Sequence, residues 1–457
     1  MKKPHFDFVD EKNMGLLTDF YELTMSASYF ENGNNEAATF DLFIRKLPSN
    51  RSYFVFAGLE QVLRFLEDMR FSEEAISYLR GKRLDGRFLD YLRCFKFTGE
   101  VWSVPEGTIV FPEEPIIRVT APIIEAQLVE TFILNTVNLQ TMIATKASRV
   151  VRAARGRPVI EFGLRRTQGT DAGMKAARCS YLAGAEGTSN VLAGMRYGIP
   201  LFGTMAHSYV MFFDKEVESF RAFAKIFPET STFLIDTYDD LKGAENAATV
   251  AKELGKKGYK LNAVRLDSGN LVSTSKKVRE ILDAKGLGYV KIFASGDLDE
   301  YVIEKLLKDG AKIDAFGVGT RMSTSLDRPY VDVVYKLAEK VEETNVVPTM
   351  KLSKGKATLP GKKQIFRQSD ENGKCTKDTI GLEDERIEGE PLLERVMKDG
   401  RLTNEMPTLE TIRRATLKNL SELPEKYKRL GNPSSYPVIL SAKLTRWRNQ
   451  VRDRLKS

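Results

Sequence analysis

The chain has 457 residues, 42% hydrophobic and 29% charged, with 70 Lys and Arg against 62 Asp and Glu for a formal charge of +8. That composition is an ordinary globular one and excludes collagen-like, disordered and membrane-spanning classes; no apolar run reaches the roughly 18 residues that cross a bilayer. The opening MKKPHFDFVDEKN follows its lysines with acidic and polar residues instead of an apolar stretch, so it does not read as a signal peptide and a cytoplasmic location is expected.

Leu16, Leu17, Phe20, Leu23, Ala27 and Phe30 recur at three- and four-residue steps and predict an amphipathic helix ended near Gly33. Ala38, Phe40, Leu42 and Ile44 then alternate with Thr39, Asp41, Phe43 and Arg45, the period of a half-exposed strand. Helical patterns follow over 58–69 and 73–94, short antiparallel strands over 97–120, and a long helix-compatible stretch over 123–155.

Beyond it, short apolar runs recur with polar or glycine-bearing ends: Pro158–Phe162, Ile199–Gly203, Phe233–Asp236, Ala263–Asp267, Val290–Ala294 and Ile313–Gly317. Their ends fall 23 to 41 residues apart, which suits successive right-handed βα units. Reactive or phosphate-friendly residues follow almost every run, and barrels build their sites from many strand-end loops, whereas open sheets concentrate them at one switch point. The expectation is therefore an irregular α/β barrel over 121–345, preceded by an α+β N-terminal domain over 1–120. Residues 346–457 are expected to form a Gly/Pro loop and a basic helical tail.

Cys94, Cys179 and Cys375 lie far apart with no C-x-x-C spacing, so neither a disulfide framework nor a zinc site is indicated. Of the two histidines, His5 is near the terminus, so histidine chemistry must fall on His207. Residues 411–457 carry twelve Lys or Arg against Glu422, Glu425 and Asp453, which localises the positive excess to the tail. The tail has few aromatics and no stacking pattern, so a solvated basic surface is expected and not a nucleic-acid footprint.

Ser295-Gly296-Asp297 and Gly317-Val-Gly319-Thr320 each follow an apolar run and precede a helical segment. They are tight turns or phosphate-binding loops. A GxxxxGK[ST] motif is absent. Arg165 and Arg166 stand past one strand, with Arg166 expected in a surface ion pair. Arg265 lies inside an apolar run, where its partner is a barrel carboxylate or an anionic ligand. His207 falls past a strand end, with Asp236, Asp239, Asp240 and Asp267 near enough in the pattern to orient it or reach Mg²⁺; Asp239 and Asp240 also suit helix capping.

Seven segments resemble the nicotinate phosphoribosyltransferase family, in family order. They are Thr18-Asp-Phe-Tyr-Glu-Leu-Thr-Met25, Glu161-Phe-Gly-Leu-Arg-Arg166, Gly203-Thr-Met-Ala-His-Ser208, Val264-Arg-Leu-Asp-Ser-Gly269, Phe293-Ala-Ser-Gly-Asp297, Phe316-Gly-Val-Gly-Thr320, and Lys351-Leu-Ser with Leu359 through Arg367. The resemblance implies a type II phosphoribosyltransferase that makes nicotinate mononucleotide and pyrophosphate from nicotinate and phosphoribosyl pyrophosphate in NAD salvage. ATP hydrolysis would be coupled through a phosphohistidine at His207, with Mg²⁺ as cofactor.

By the same resemblance, Tyr21, Arg165, Thr204 and Arg265 would bind nicotinate, and Ser268, Ser295, Gly296, Gly319 and Thr320 would bind phosphoribosyl pyrophosphate. Asp267 would be catalytic or a metal ligand, Arg165 would also act in catalysis, and a homodimer would bring Tyr21 to the neighbouring active site. Asn270 stands where acidic residues are common after the Asp-Ser-Gly segment. The alternatives are a nicotinamide-using relative and, more remotely, a nucleic-acid-binding protein that uses the basic tail.

Overall fold

The computed structural model describes residues 9–10, 12–343 and 345–457, so His5 lies outside the described residues. The chain divides into two compact units, one made of residues 1–141 and 330–457, the other of residues 142–329. This differs from three consecutive segments: the C-terminal region joins the N-terminal one because strand Val333–Glu342 pairs with Ala37–Ile44, and Glu394–Lys398 with Glu100–Ser103.

In the discontinuous unit, the expected first helix is Phe20–Glu31, after a 3₁₀ turn at Met14–Leu16. The 73–94 pattern splits into Glu73–Arg80 and Gly86–Arg93, each started by a side-chain cap, Ser72 and Asp85. Strand Ala37–Ile44 was expected to be half exposed but is buried on both faces, between Val333–Glu342 and Ile117–Pro122 in a seven-stranded antiparallel sheet. Its polar positions meet partners inside, Asp41 Oδ2 lying 2.7 Å from Lys363 Nζ and Thr39 Oγ1 3.0 Å from Thr120 Oγ1, although Asp41 Oδ1 has no hydrogen-bond partner among the described residues. A second sheet combines Lys363–Ser369, Cys375–Leu382 and Glu390–Pro391 with the parallel strand Val438–Leu440. The tail is thus helical at Leu409–Glu422 and Ala442–Arg454 with a strand between them. Part of its positive charge is paired, as in Lys443 with Asp384 at 2.6 Å.

In the other unit, six short strands form a parallel sheet: β1 (Val159–Glu161), β2 (Gly187–Thr188), β3 (Thr232–Leu234), β4 (Ala263–Leu266), β5 (Lys291–Ala294) and β6 (Ala315–Val318). Their order is β2-β1-β6-β5-β4-β3. β1 lies beside β2, and β3, β4, β5 and β6 lie side by side in sequence order, while the last, β6, pairs with the first, β1. That cyclic order belongs to a barrel, and an open doubly wound sheet would show a reversal in mid-order instead. Leu201 extends the ring by a single parallel bridge to Thr188, and among the described residues no hydrogen-bonded pairing joins it to β3. The barrel is irregular because the Ile199–Gly203 run supplies one bridge where a full strand was expected. β2, a Gly-Thr pair, carries no apolar run by which it could have been predicted.

Buried Ile160, Phe233, Val264, Ile292 and Phe316 fix the sheet. Helices such as Asp240–Gly255, Leu271–Ala284 and Glu300–Lys308 return the chain, capped by Asp239, Asn270 and Asp299. Among the described residues no helix is long and apolar enough to cross a membrane.

Candidate active site

The C-terminal ends of the barrel strands gather polar side chains around Arg265. This residue stands on β4 in register with Leu234 on one side and Phe293 on the other. Its guanidinium donates from Nε to Ser295 Oγ at 2.8 Å, from one terminal nitrogen to Thr204 Oγ1 at 3.1 Å, and from the other to Asp267 Oδ1 at 2.7 Å. Its Cζ lies 5.7 Å from the Phe162 ring centroid, a cation–π distance. The side chain is 16% exposed, so the sequence-level question of its partner is answered by Asp267, a barrel carboxylate.

Asp267 also receives the Ser295 hydroxyl, and its backbone N–H donates to Asp236 Oδ2 at 2.8 Å. Partial burial would raise its carboxyl, but the Ser295 hydrogen bond, the Arg265 charge and the nearby His207 together hold it below the usual carboxylate range. Ser268 Oγ donates to the same Asp236 oxygen at 2.7 Å, so one carboxylate ties down the Asp-Ser pair.

His207 opens the short helix His207–Met211 with its ring 41% exposed. Nδ1 is 3.2 Å from Thr237 Oγ1, and Nε2 faces Asp267 Oδ2 at 3.9 Å. Thr237 was missed in the sequence because it sits one residue after Asp236 in a segment where the aspartates draw attention. Asp239 caps the following helix, accepting from Leu241 and Lys242 N–H at 3.0 and 2.7 Å, as expected. Asp240 instead accepts from Thr274 Oγ1 at 3.2 Å.

Gly296 has φ +90°, and a Cβ there would lie 1.9 Å from the Asp267 carbonyl oxygen, so this loop position requires glycine. Gly319 precedes the short helix Thr320–Ser323, and a Cβ there would come within 3.0 Å of the Phe162 carbonyl. Arg166 donates to Thr320 Oγ1 at 3.3 Å, a contact with the loop and not the surface ion pair expected for it. Arg165 is exposed and has no polar partner among the described residues. Asn270 caps its helix by accepting from Ser273 N–H at 3.2 Å. Beneath the site, buried Glu161 accepts from Thr188 Oγ1 at 2.6 Å and from Gly163 N–H, and burial still pushes its carboxyl up. Tyr21 belongs to the other unit, exposed in the first turn of its helix.

Among the described residues no three His, Cys, Asp or Glu side chains form a metal cage. Mg²⁺ characteristically takes one or two carboxylates and completes its shell with substrate phosphates and water. Asp267 Oδ2, which faces His207 Nε2 at 3.9 Å, and the buried Asp236 Oδ1, which has no hydrogen-bond partner among the described residues, fit that requirement.

An α/β barrel with cationic, phosphate-friendly and carboxylate groups on its strand-end loops defines a class of enzymes that handle anionic, phosphorylated substrates. Residues 16–138 match the N-terminal domain of nicotinate phosphoribosyltransferase, 158–383 the nicotinate phosphoribosyltransferase family, and 386–448 the C-terminal domain. A nicotinate phosphoribosyltransferase of Mycobacterium tuberculosis is 48% identical over 94% of this chain and 92% of its own length. One from Bacillus subtilis is 39% identical over 98% and 96%. The crystal structure of human nicotinic acid phosphoribosyltransferase superposes with TM-score 0.85 at 29% identity, covering 95% of this chain and 99% of that one. The chain belongs to the nicotinate phosphoribosyltransferase family.

Proposed function

We propose that this protein transfers the phosphoribosyl group of phosphoribosyl pyrophosphate to nicotinate, forming nicotinate mononucleotide and pyrophosphate in NAD salvage. The observation that carries the reading is the convergence of Arg265, Asp267, Ser295, Thr204 and His207 at the barrel mouth of a chain matched to this family over nearly its whole length.

The neutral pyridine nitrogen needs no general base, so the protein's work is to position the reactants and stabilise charge. Arg165, exposed and without a polar partner among the described residues, is the cation that forks onto the nicotinate carboxylate. Arg265 has spent most of its donors on Ser295, Thr204 and Asp267. It acts as the fixed centre of the site and offers nicotinate the N–H that remains. Thr204 is held beside it as a further polar contact. The glycine-bearing turns at Ser295-Gly296 and Gly319-Thr320 take the 5′-phosphate on backbone N–H groups, and Ser268 and Asp267 face the ribose. Asp267 and Asp236 would hold Mg²⁺, which supplies charge neutralisation of the departing pyrophosphate.

His207, oriented at Nδ1 by Thr237, presents Nε2 to attack the γ-phosphorus of ATP, with the P–O bond to the β-phosphate breaking and ADP leaving. Water then cleaves the N–P bond to release phosphate, so ATP hydrolysis would drive the transfer in a ligase-type cycle. A homodimer bringing the exposed Tyr21 ring of one subunit over the pyridine of the next completes the site, and the protein works in the cytoplasm. The test is incubation of the purified protein with phosphoribosyl pyrophosphate, Mg²⁺ and either nicotinate or nicotinamide, with and without ATP, reading mononucleotide by chromatography. Nicotinate mononucleotide, increased by ATP, is expected; preferential use of nicotinamide would overturn the reading.

A further inference from the structure

Behind the strand-end loops lies an ion network that the transfer chemistry does not touch. Lys146, Arg149 and Glu300 have side chains only 1%, 1% and 0% exposed. Glu300 Oε1 accepts from Arg149 Nε at 3.0 Å, while Lys146 Nζ lies 2.6 Å from Oε2 as an ion pair without hydrogen-bond alignment. Lys146 also reaches Asp327 Oδ1 at 2.7 Å, and Arg149 donates to the Tyr301 hydroxyl at 2.9 Å. A separate pair, Arg321 with Asp299 at 3.0 Å, runs alongside.

The positions of these groups in the chain give the network its meaning. Glu300 and Asp299 end the loop that begins at Ser295-Gly296, and Arg321 and Asp327 lie in the segment that begins at Gly319-Thr320. Lys146 therefore bridges the two phosphate-type loops through Glu300 and Asp327, and Arg321–Asp299 bridges them a second time. Three cations face three carboxylates, so the assembly is charge-balanced. Buried ion pairs are weak stabilisers, because desolvation offsets much of their attraction and apolar replacements are often neutral or better. What such a network supplies is direction: fixed donors and acceptors hold two loops at one separation.

We infer that the Lys146–Glu300–Arg149 network, with Arg321–Asp299, positions the two loops for the 5′-phosphate of phosphoribosyl pyrophosphate. The inference rests on the phosphate placement proposed above. The residues are positioning residues and touch no substrate. They set how well the loop N–H groups converge on the phosphate, a convergence in which small displacements are costly.

The experiment compares Lys146→Met, the charge-neutral double variant Lys146→Met/Glu300→Gln, and Asp299→Asn, which keeps a helix-capping side chain and removes only the second bridge. Competitive inhibition against phosphoribosyl pyrophosphate is measured with ribose 5-phosphate and with inorganic pyrophosphate, alongside the nicotinate KM. Weakening of ribose 5-phosphate by about tenfold is expected in Lys146→Met and the double variant, and by a lesser factor in Asp299→Asn, with pyrophosphate and nicotinate within about twofold of wild type. Uniform weakening of all three ligands, or a lowered melting temperature with ribose 5-phosphate unchanged, would overturn the inference. Thr320→Pro, which removes a loop N–H at a first helical position where proline is tolerated, separates it from the underlying reading. If that variant also leaves ribose 5-phosphate binding intact, the phosphate placement itself falls; if it weakens binding while the network variants do not, the network alone is refuted.

Discussion

Replacing Arg265 with alanine should remove the centre of the site along with a ligand contact. The guanidinium is 16% exposed and Asp267 31%, so the pair is partly screened and its loss costs less than the 3–5 kcal/mol of a fully buried pair. Hydrogen bonds to Ser295 at 2.8 Å and Thr204 at 3.1 Å disappear with it. Charge-assisted bonds are worth about 1.5–3 kcal/mol each but share one side chain and do not add. A destabilisation of about 2–3 kcal/mol follows, which for a unit of this size lowers the melting temperature by roughly 4–12 °C. Because Asp267, Ser295 and Thr204 all lose their common partner, kcat/KM should fall by at least about a hundredfold for both substrates. Arg265→Lys keeps the charge without the fork and should recover part of the stability and little of the activity. Arg165→Ala is the contrast: its side chain has no polar partner among the described residues, so the melting temperature should hold while the nicotinate KM rises about tenfold or more. Calorimetry and initial rates on the three variants suffice. An Arg265→Ala protein with unchanged melting temperature and phosphoribosyl pyrophosphate KM, altered only in its nicotinate KM, would refute the reasoning.

Further outcomes follow from other parts of the structure. His207→Ala should abolish both the acid-labile label from γ-labelled ATP and the rate gain from ATP, while leaving a slow ATP-independent transfer, since the ribosyl chemistry uses other groups. Gly296→Ala must either move the Asp267 carbonyl, 1.9 Å from the new Cβ, or distort the loop at φ +90°; a loss of at least about 1 kcal/mol in urea unfolding and a raised phosphoribosyl pyrophosphate KM are expected. Glu22 is fully buried, and desolvation pushes its carboxyl up to about 7, despite a 2.6 Å hydrogen bond from Gln127. A carboxyl raised in the folded state favours folding while protonated, so its contribution is present below the unfolded value and lost as pH climbs through about 7. Glu22→Gln should therefore raise the urea midpoint relative to wild type at pH 8 and change it little at pH 5.

Much of the barrel was legible because buried parallel strands leave apolar runs, and five of the six runs became strands with boundary shifts of at most two residues. β2 escaped because two residues, Gly187 and Thr188, are too few to show a period. Strand Ala37–Ile44 showed its alternation but not its burial, since Asp41 reads as a solvent-facing residue until Lys363, more than three hundred positions later, pairs with it. The same distance effect hid Thr237 behind His207 and Glu300 behind Lys146: isolated polar residues acquire meaning only when the fold brings their partners within 3.2 Å. Arg265 shows the middle case. Its place in an apolar run signalled that it needed a partner, and the choice of Asp267 took the geometry of the β4 end.

The central claim, transfer of a phosphoribosyl group to a carboxylated pyridine, is tested most directly by a stoichiometric measurement on the purified protein. Nicotinate, phosphoribosyl pyrophosphate and Mg²⁺ are supplied with ATP, and the consumption of nicotinate is followed with the release of pyrophosphate in the same reaction, with nicotinamide as competitor. One pyrophosphate per nicotinate mononucleotide, with nicotinamide failing to compete at equal concentration, is the predicted result. Pyrophosphate release that is independent of nicotinate, or mononucleotide formed chiefly from nicotinamide, would contradict it.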